Sequence, residues 1–224
     1  MQADHKGLII KRILDMSGQY APYDIFSDWV QLCALSISNS LSMIHDKVWQ
    51  EREQTYISTA QRYTEKELES FAQMFVWLAD ALTDNMTDVL GQVYMEAGLG
   101  NKYTGQFFTP FNLSELCARL AIPDSSFVNS EEMIKINEPS CGGGGMIVAA
   151  CKVLYDHGVN YQRRLDVVAQ DLDWKGVYMT YLQLSLIGCR AIVVQGDTLT
   201  NPFDPSKTER SRMLFTPTKL GALL

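Results

Sequence analysis

The stretch Glu138-Pro139-Ser140-Cys141-Gly142-Gly143-Gly144-Gly145 decides the fold, because its four successive glycines join two regular elements. Before it, Ile134-Lys135-Ile136-Asn137 alternates as a short strand does, and after it residues 146–157 have helical spacing and stop at Gly158. Glycines let a backbone approach a ligand closely, and a helix that follows them presents its first amides to that ligand. The stretch therefore predicts a loop that binds a nucleotide-type ligand.

The same alternation of elements continues beyond this loop. Residues 165–170 predict a second strand, residues 174–187 a helix that Gly188 closes, and residues 191–195 a third strand. Strands that alternate with helices over short connections are typical of a parallel sheet with crossover helices. The fold class is therefore α/β, and ligands of such sheets bind at the carboxyl ends of the strands.

Residues 1–100 predict a helical N-terminal region, and residues 101–224 predict the ligand-binding domain, with the boundary near 98–104. Thr64-Glu65-Lys66-Glu67 has the residues of a capping box, and a short helix from about Thr87 ends at Gly98. An amphipathic stripe with three- and four-residue steps comprises Phe26, Trp29, Val30, Cys33, Ile37, Leu41 and Ile44.

The composition is that of a soluble globular protein. Hydrophobic residues make up 46% of the 224 residues, and no apolar run is long enough for a membrane span. The five cysteines form no CxxC pair, so a zinc site is not expected, and a reduced, cytoplasmic protein is predicted. The net charge of −7 predicts that the chain alone binds nucleic acid weakly.

Two common nucleotide loops do not fit the glycine stretch. A dinucleotide fingerprint counted from Gly142 needs a third glycine where Ile147 stands, and a phosphate-binding Walker loop needs a Gly-Lys-Ser/Thr sequence that is absent.

The residues 138–146 instead resemble motif I of the N6-adenine DNA methyltransferases, which is written D/E-P-x-C-G-x-G-G. Within that group they most resemble the modification (methylating) subunit of type I restriction–modification systems. Upstream, Gly105-Gln106-Phe107-Phe108-Thr109-Pro110 resembles the G-x-x-[YF]-T-P element of those subunits. The resemblance implies a Rossmann-like S-adenosylmethionine-dependent methyltransferase sheet that is incomplete in this chain, because the family's sheet has more strands than fit here.

The resemblance also implies a set of cofactor-binding residues. An acid at the end of the second strand, Asp171, would accept hydrogen bonds from the ribose hydroxyls, with Leu172 beside the adenine ring. Asp197, in Gly196-Asp197-Thr198-Leu199 after the third strand, would accept from the adenine amino group, whereas Asp173 is expected to cap a helix. The remaining expected contacts are Gln106, Phe107, Phe108, Thr109, Pro110, Glu138, Ser140, Cys141, Gly142 and Gly144.

The base pocket of the family, Asn/Asp-Pro-Pro-Tyr/Phe, has no full counterpart. The nearest match is Asn201-Pro202-Phe203, which lacks one proline. These three residues are the expected catalytic residues. A second option is a fourth strand over residues 212–215, which would place Thr216-Pro217 at the catalytic position.

The resemblance implies a DNA adenine-N6 methyltransferase that uses S-adenosylmethionine. Such a protein is expected to act on DNA together with a specificity or target-recognition partner. A homo- or hetero-oligomer is expected, and no membrane association. Two alternatives stay open. The chain could be a non-catalytic cofactor-binding or interaction protein that has lost the base pocket, or it could methylate RNA, protein or a small molecule.

Overall fold

The computed structural model describes residues 3–100, 107–122 and 132–221. The chain divides into two compact units. The first comprises Met1–Asn85 and Val89–Phe107, and the second comprises Met86–Asp88 and Phe108–Leu224.

The described part of the first unit is helical. Its helices are α1 (His5–Asp15), α2 (Pro22–Ser40), α3 (Lys47–Ala60), α4 (Glu65–Asp84) and α5 (Val89–Glu96). Helix α1 packs against α4 and α5, and α2 packs against α3. The fully buried indole of Trp29 donates from Nε1 to the carbonyl of Phe71 at 3.1 Å, so α2 and α4 share one core.

The local signals at the helix ends account for these bounds. The capping box at α4 is confirmed, because the Thr64 hydroxyl accepts from the amide of Glu67 and the Glu67 carboxylate accepts from the amide of Thr64. The prediction that the stripe on α2 continues to Ile44 was wrong. The helix ends at Ser40, whose hydroxyl donates to the carbonyl of Ile37, and Asp46 already caps the start of α3.

The second unit contains the predicted α/β pattern. Its elements are α6 (Phe111–Ala121), β1 (Ile134–Glu138), α7 (Gly145–Asp156), α8 (Tyr161–Arg164), β2 (Leu165–Asp171), α9 (Trp174–Leu186), β3 (Ala191–Gln195) and β4 (Met213–Phe215), with short 3-10 helices at Arg210–Arg212 and Pro217–Leu220. Asp173 caps α9 as predicted, since its carboxylate accepts from the amide of Lys175.

The four strands form one sheet in the order β1-β2-β3-β4. β1 and β2 are parallel, with Glu138 opposite Ala169, and β2 and β3 are parallel, with Asp171 opposite Gln195. Leu165, Val167 and Ala169 alternate along β2 and are fully buried, and α9 packs against β2 and β3. The prediction of three parallel strands with crossover helices is confirmed, and the carboxyl ends of those strands meet at one edge.

The fourth strand differs from the expectation. β4 pairs with β3 in the antiparallel direction, so it ends where β3 begins. The amide of Thr216 accordingly donates to the carbonyl of Ala191, the first residue of β3. Thr216-Pro217 therefore lies at the opposite end of the sheet from the glycine loop, and its placement at the catalytic position was wrong.

Candidate cofactor and base site

The glycine loop between β1 and α7 depends on two left-handed residues. Gly142 has φ +52° and Gly144 has φ +90°, a region that residues with a side chain rarely adopt. Gly144 is the N-cap of α7, and a Cβ built on it would lie 3.2 Å from the Cα of Thr180. The loop can therefore turn sharply from strand to helix only because these positions are glycine.

Four hydrogen bonds hold the loop against β2 and α9. The amide of Cys141 donates to the carbonyl of Gln170 at 2.9 Å, and the amide of Gly142 donates to Asp171 Oδ2 at 2.8 Å. From α9, the Thr180 hydroxyl donates to the carbonyl of Gly142 at 3.0 Å, and Gln183 Nε2 donates to the carbonyl of Gly143 at 2.7 Å. The loop is therefore fixed by its neighbours and presents a defined backbone surface.

The α9 residues that hold the loop were not expected to belong to the site. Gly176 lets α9 approach, because a Cβ there would lie 3.0 Å from the carbonyl oxygen of Gly142. Thr180 and Gln183 are completely buried polar residues in a largely apolar helix. Residues 176, 180 and 183 are spaced four and three apart, so they share one helix face, and this spacing was the available signal.

Burial and neighbouring charge set the protonation of the site. Desolvation, with the nearby charge of Asp171, raises the pKa of the Glu138 carboxyl above its ordinary value, although the amide of Ser140 donates to it at 3.2 Å. Burial raises the pKa of the Cys141 thiol to about 12. Cys141 is therefore a protonated thiol near neutral pH.

Asp171 is placed where the sequence expected an acid, but its carboxylate already accepts two backbone hydrogen bonds. Oδ2 accepts from Gly142, and Oδ1 accepts from the amide of Asp173 at 2.9 Å. Each carboxylate oxygen has a second lone pair, so both could still accept from a ligand. Leu172, next in the chain, is exposed.

The upstream element is described only in part. A Cβ built on Gly142 would lie 3.1 Å from the ring of Phe108, so this ring packs on the glycine loop. Phe107 is exposed, as are Thr109 and Pro110, which lead into α6, whereas Gln106 lies outside the described residues.

The segment after β3 comes to the glycine loop through Thr198, whose hydroxyl donates to the carbonyl of Pro139 at 2.6 Å. The Asp197 carboxylate accepts from the amide of Leu199 and from the Thr200 hydroxyl, both at 2.9 Å. These hydrogen bonds lower the pKa of Asp197. Asp197 is therefore an ionised acceptor that shapes its own turn.

Asn201-Pro202-Phe203 is held by the buried side chain of Gln170. Gln170 Nε2 donates to the carbonyl of Asn201 at 2.9 Å, and Oε1 accepts from the amide of Phe203 at 3.0 Å. A cleft of about 680 Å³ opens here, and its lining includes Gln170, Gln195, Asn201, Phe203, Lys207 and Arg212. The lining of this cleft includes no residue of the glycine loop, but Gln170 contacts both, the loop through its backbone and Asn201 through its side chain.

Within the described ranges 3–100, 107–122 and 132–221, no group of three or more His, Cys, Asp or Glu residues could hold a metal ion. No helix in the same ranges is long and apolar enough to cross a membrane.

A glycine loop at the end of the first parallel strand and an acid at the end of the second define an α/β protein that binds a nucleotide-type cofactor. The profile of the family described as N-6 DNA methylase matches residues 85–214, which is more than half of the chain. The chain belongs to this family. The family is one of DNA methyltransferases, and S-adenosylmethionine is its cofactor.

One curated relative is the type I restriction enzyme MpnII methylase subunit of Mycoplasma pneumoniae, which is 32% identical over 102 residues. The match covers 43% of this chain and 18% of the relative, so the matched part of the chain spans about a fifth of that protein's length. A candidate class I S-adenosylmethionine-dependent methyltransferase from Listeria monocytogenes has a solved structure with a TM-score of 0.46 and 11% identity, over 88% of this chain and 54% of that one.

The residues present fit such a cofactor. Gly142 and Gly144 form a sharp turn with positive φ angles at the carboxyl end of β1, and the carboxylates of Glu138 and Asp171 lie beside this turn. An S-adenosylmethionine molecule offers hydroxyl and ammonium donors, for which carboxylates are suitable acceptors.

Proposed function

We propose that the chain carries the cofactor-binding core of an adenine-N6 DNA methyltransferase of the type I restriction–modification kind. The observation that supports it most is the convergence of Phe108, Gly142 and Asp171 at the carboxyl ends of β1 and β2. Membership of the N-6 DNA methylase family supports the same reaction.

S-adenosylmethionine supplies the methyl group, and the chain's residues bind and orient it. In the proposal, Asp171 accepts from the ribose hydroxyls, Leu172 flanks the adenine ring, and Asp197 accepts from the adenine amino group. The loop residues Glu138, Ser140, Cys141, Gly142 and Gly144, with the upstream Gln106, Phe107, Phe108, Thr109 and Pro110, hold the methionine end. Support comes from the ionised state of Asp197 and the fixed glycine backbone.

The acceptor base would bind at Asn201-Pro202-Phe203. A target adenine must leave the duplex stack for its amino group to be reached, and hydrogen-bond acceptors then hold that group. The Asn201 side-chain oxygen and the Pro202 carbonyl would accept its two hydrogens, and the Phe203 ring would stack on the base. The hydrogen bonds from Gln170 support this role, because they fix the backbone on both sides of Pro202.

DNA, a specificity-type partner and a cytoplasmic location complete the proposal. The relative is named as a subunit of a restriction enzyme, which indicates an assembly with other chains. The net charge of −7 supports a partner that supplies DNA contacts, because binding to phosphates depends on clustered Lys and Arg.

The test combines cofactor binding by calorimetry with transfer of a tritiated methyl group to mixed DNA, with and without a co-expressed specificity subunit. Asn201→Ala is expected to bind the cofactor as the native chain does and to lose transfer. The matched control, Asn160→Ala, removes the N-cap of α8 and should retain transfer. Absence of cofactor binding by the native chain would contradict the proposal.

A second function, a non-catalytic cofactor-binding protein, is favoured by one observation. The base-pocket motif lacks a proline at Asn201-Pro202-Phe203, and the other option, Thr216-Pro217, lies at the far end of the sheet. In the same experiment, this function predicts cofactor binding and no transfer under any condition.

A further inference from the structure

Asp88 lies far upstream of the glycine loop in sequence, yet it packs directly against the loop in the same compact unit. Its side chain is 3% exposed. A Cβ built on Gly145 would lie 2.9 Å from Asp88 Oδ2, and one built on Gly143 would lie 3.4 Å from Oδ1. The carboxylate therefore occupies the space that a side chain at Gly145 would need, and at Gly143 it lies at ordinary contact distance from the position of a Cβ.

The carboxylate also acts on the loop through Gln183. Gln183 Nε2 donates to Asp88 Oδ1 at 2.8 Å and to the carbonyl of Gly143 at 2.7 Å, so one amide group joins the acid to the loop. Both side chains are buried, and a hydrogen bond to a charged group is stronger than one between neutral groups. Loss of the Gln183 side chain would remove the bond to the Gly143 carbonyl, and loss of the Asp88 side chain would remove the second acceptor that orients Gln183 Nε2.

The position of the Asp88 carboxyl group also suits a negative charge. Asp88 lies against Gly145, the first residue of α7, and the N-terminus of a helix favours a nearby negative charge. A buried carboxylate costs free energy unless it is hydrogen-bonded, so its presence here needs a compensating contact, which Gln183 supplies in part.

We propose that Asp88 is a positioning residue for the cofactor: together with Gln183 it holds Gly143 and Gly145 in the loop conformation that binds S-adenosylmethionine. This inference rests on the proposed cofactor site and adds to it a residue outside both sequence motifs. Asp88 does not contact the cofactor in this account and acts only through the loop.

The first test measures the dissociation constant of S-adenosylmethionine by calorimetry. Asp88→Ala and Gln183→Leu should each raise this dissociation constant by about tenfold or more. Because both residues act through one contact, the dissociation constant of the double variant should not exceed the larger of the two single-variant values. The control Thr64→Ala loses a helix cap in the other unit and should melt earlier with an unchanged dissociation constant. If Asp88→Ala binds as tightly as this control, or if the two losses multiply, the proposal fails.

The proposal remains testable even if Asp88→Ala does not fold. In that case Gln183→Leu carries the test, since it leaves the acid in place and removes the amide group that joins it to Gly143. A native dissociation constant for Gln183→Leu would then overturn the proposal.

The second test needs no cofactor and reads the thermal midpoint of unfolding. Gly145→Ala should lower the midpoint when Asp88 is present, because of the 2.9 Å approach. In the Asp88→Ala background it should raise the midpoint, since alanine favours a helix more than glycine does.

If the native chain binds no cofactor, the proposed function fails and the role of Asp88 in binding fails with it. Absence of the sign change shows that Asp88 does not hold the loop, whatever the cofactor result.

Discussion

The four consecutive glycines are required for two different physical reasons. Gly142 and Gly144 have positive φ angles, so any side chain there would strain the backbone. Gly143 has no such angle, and its Cβ would instead meet the methyl group of Met179 at 3.1 Å, as that of Gly145 would meet Asp88. One pair therefore shapes the turn, and the other lets neighbouring side chains pack against it.

At the residue scale, we compare Gly144→Ala with Gly158→Ala at the two ends of α7. Both residues have left-handed φ angles, +90° and +74°, for which a side chain costs about 1–2 kcal/mol. A Cβ at Gly158 meets nothing within 4 Å, whereas one at Gly144 lies 3.2 Å from the Thr180 Cα. Gly144→Ala should therefore destabilise the protein more and also weaken cofactor binding.

Urea unfolding and calorimetric titration with S-adenosylmethionine measure both effects. Gly158→Ala should lose only stability and keep the native dissociation constant. Equal losses of stability and of affinity in the two variants would show that the loop has no special requirement at Gly144.

At the scale of elements, β4 is held by a buried hydroxyl at its end. Thr216 Oγ1 accepts from the amide of Ala191 at 2.9 Å and donates to the carbonyl of Cys189 at 2.7 Å. Thr216 has no exposed surface, so this hydroxyl can serve only the protein interior. It joins the end of β4 to the start of β3, which explains why a threonine follows the strand.

We expect Thr216→Val to lower the free energy of unfolding by about 1–3 kcal/mol, because it leaves the buried amide of Ala191 unpaired. The matched variant Thr216→Ser keeps the hydroxyl and should retain most of that stability. Cofactor binding should stay native in both variants when measured well below their melting temperatures. A selective loss of methyl transfer in Thr216→Val, without a loss of stability, would contradict this structural role.

The sequence predicted the ends of helices better than the contacts between residues that are far apart in the chain. The Gly158 and Gly188 stops and the Thr64 cap depend on neighbours within a few residues, so their helices were predicted closely. The placement of β4 beside β3 and of Asp88 against Gly145 depends on residues far apart in the chain. A single sequence contains no periodic pattern for such contacts, which is why the position of Thr216 was predicted wrongly and Asp88 was missed.

At the scale of the whole molecule, the basic residues near the base-site cleft are offset by acids. Lys207 lies 3.0 Å from Asp204, and Arg212 lies 3.7 Å from Glu209. Hydrogen bonds from Ser206 and Lys207 lower the pKa of Asp204 to about 2, so this acid is ionised at neutral pH. These ion pairs weaken the positive field that would attract DNA phosphates, and the net charge of −7 weakens it further.

The native chain alone should therefore bind duplex DNA no more tightly than about 10⁻⁶ M at physiological salt, the range of non-specific binding. The variant Asp204→Asn/Glu209→Gln removes two negative charges beside Lys207 and Arg212 and should bind more tightly, with a steeper dependence on salt. Fluorescence anisotropy with a labelled duplex at several salt concentrations measures both quantities.

The control Asp15→Asn/Asp24→Asn makes the same change of net charge at exposed helix positions of the other unit. If net charge alone governs binding, the two double variants should gain affinity equally. If the cleft residues contact phosphates, only the first variant should gain a steeper salt slope, because each additional phosphate contact releases counterions. Submicromolar binding by the native chain would contradict the need for a partner that supplies the DNA contacts.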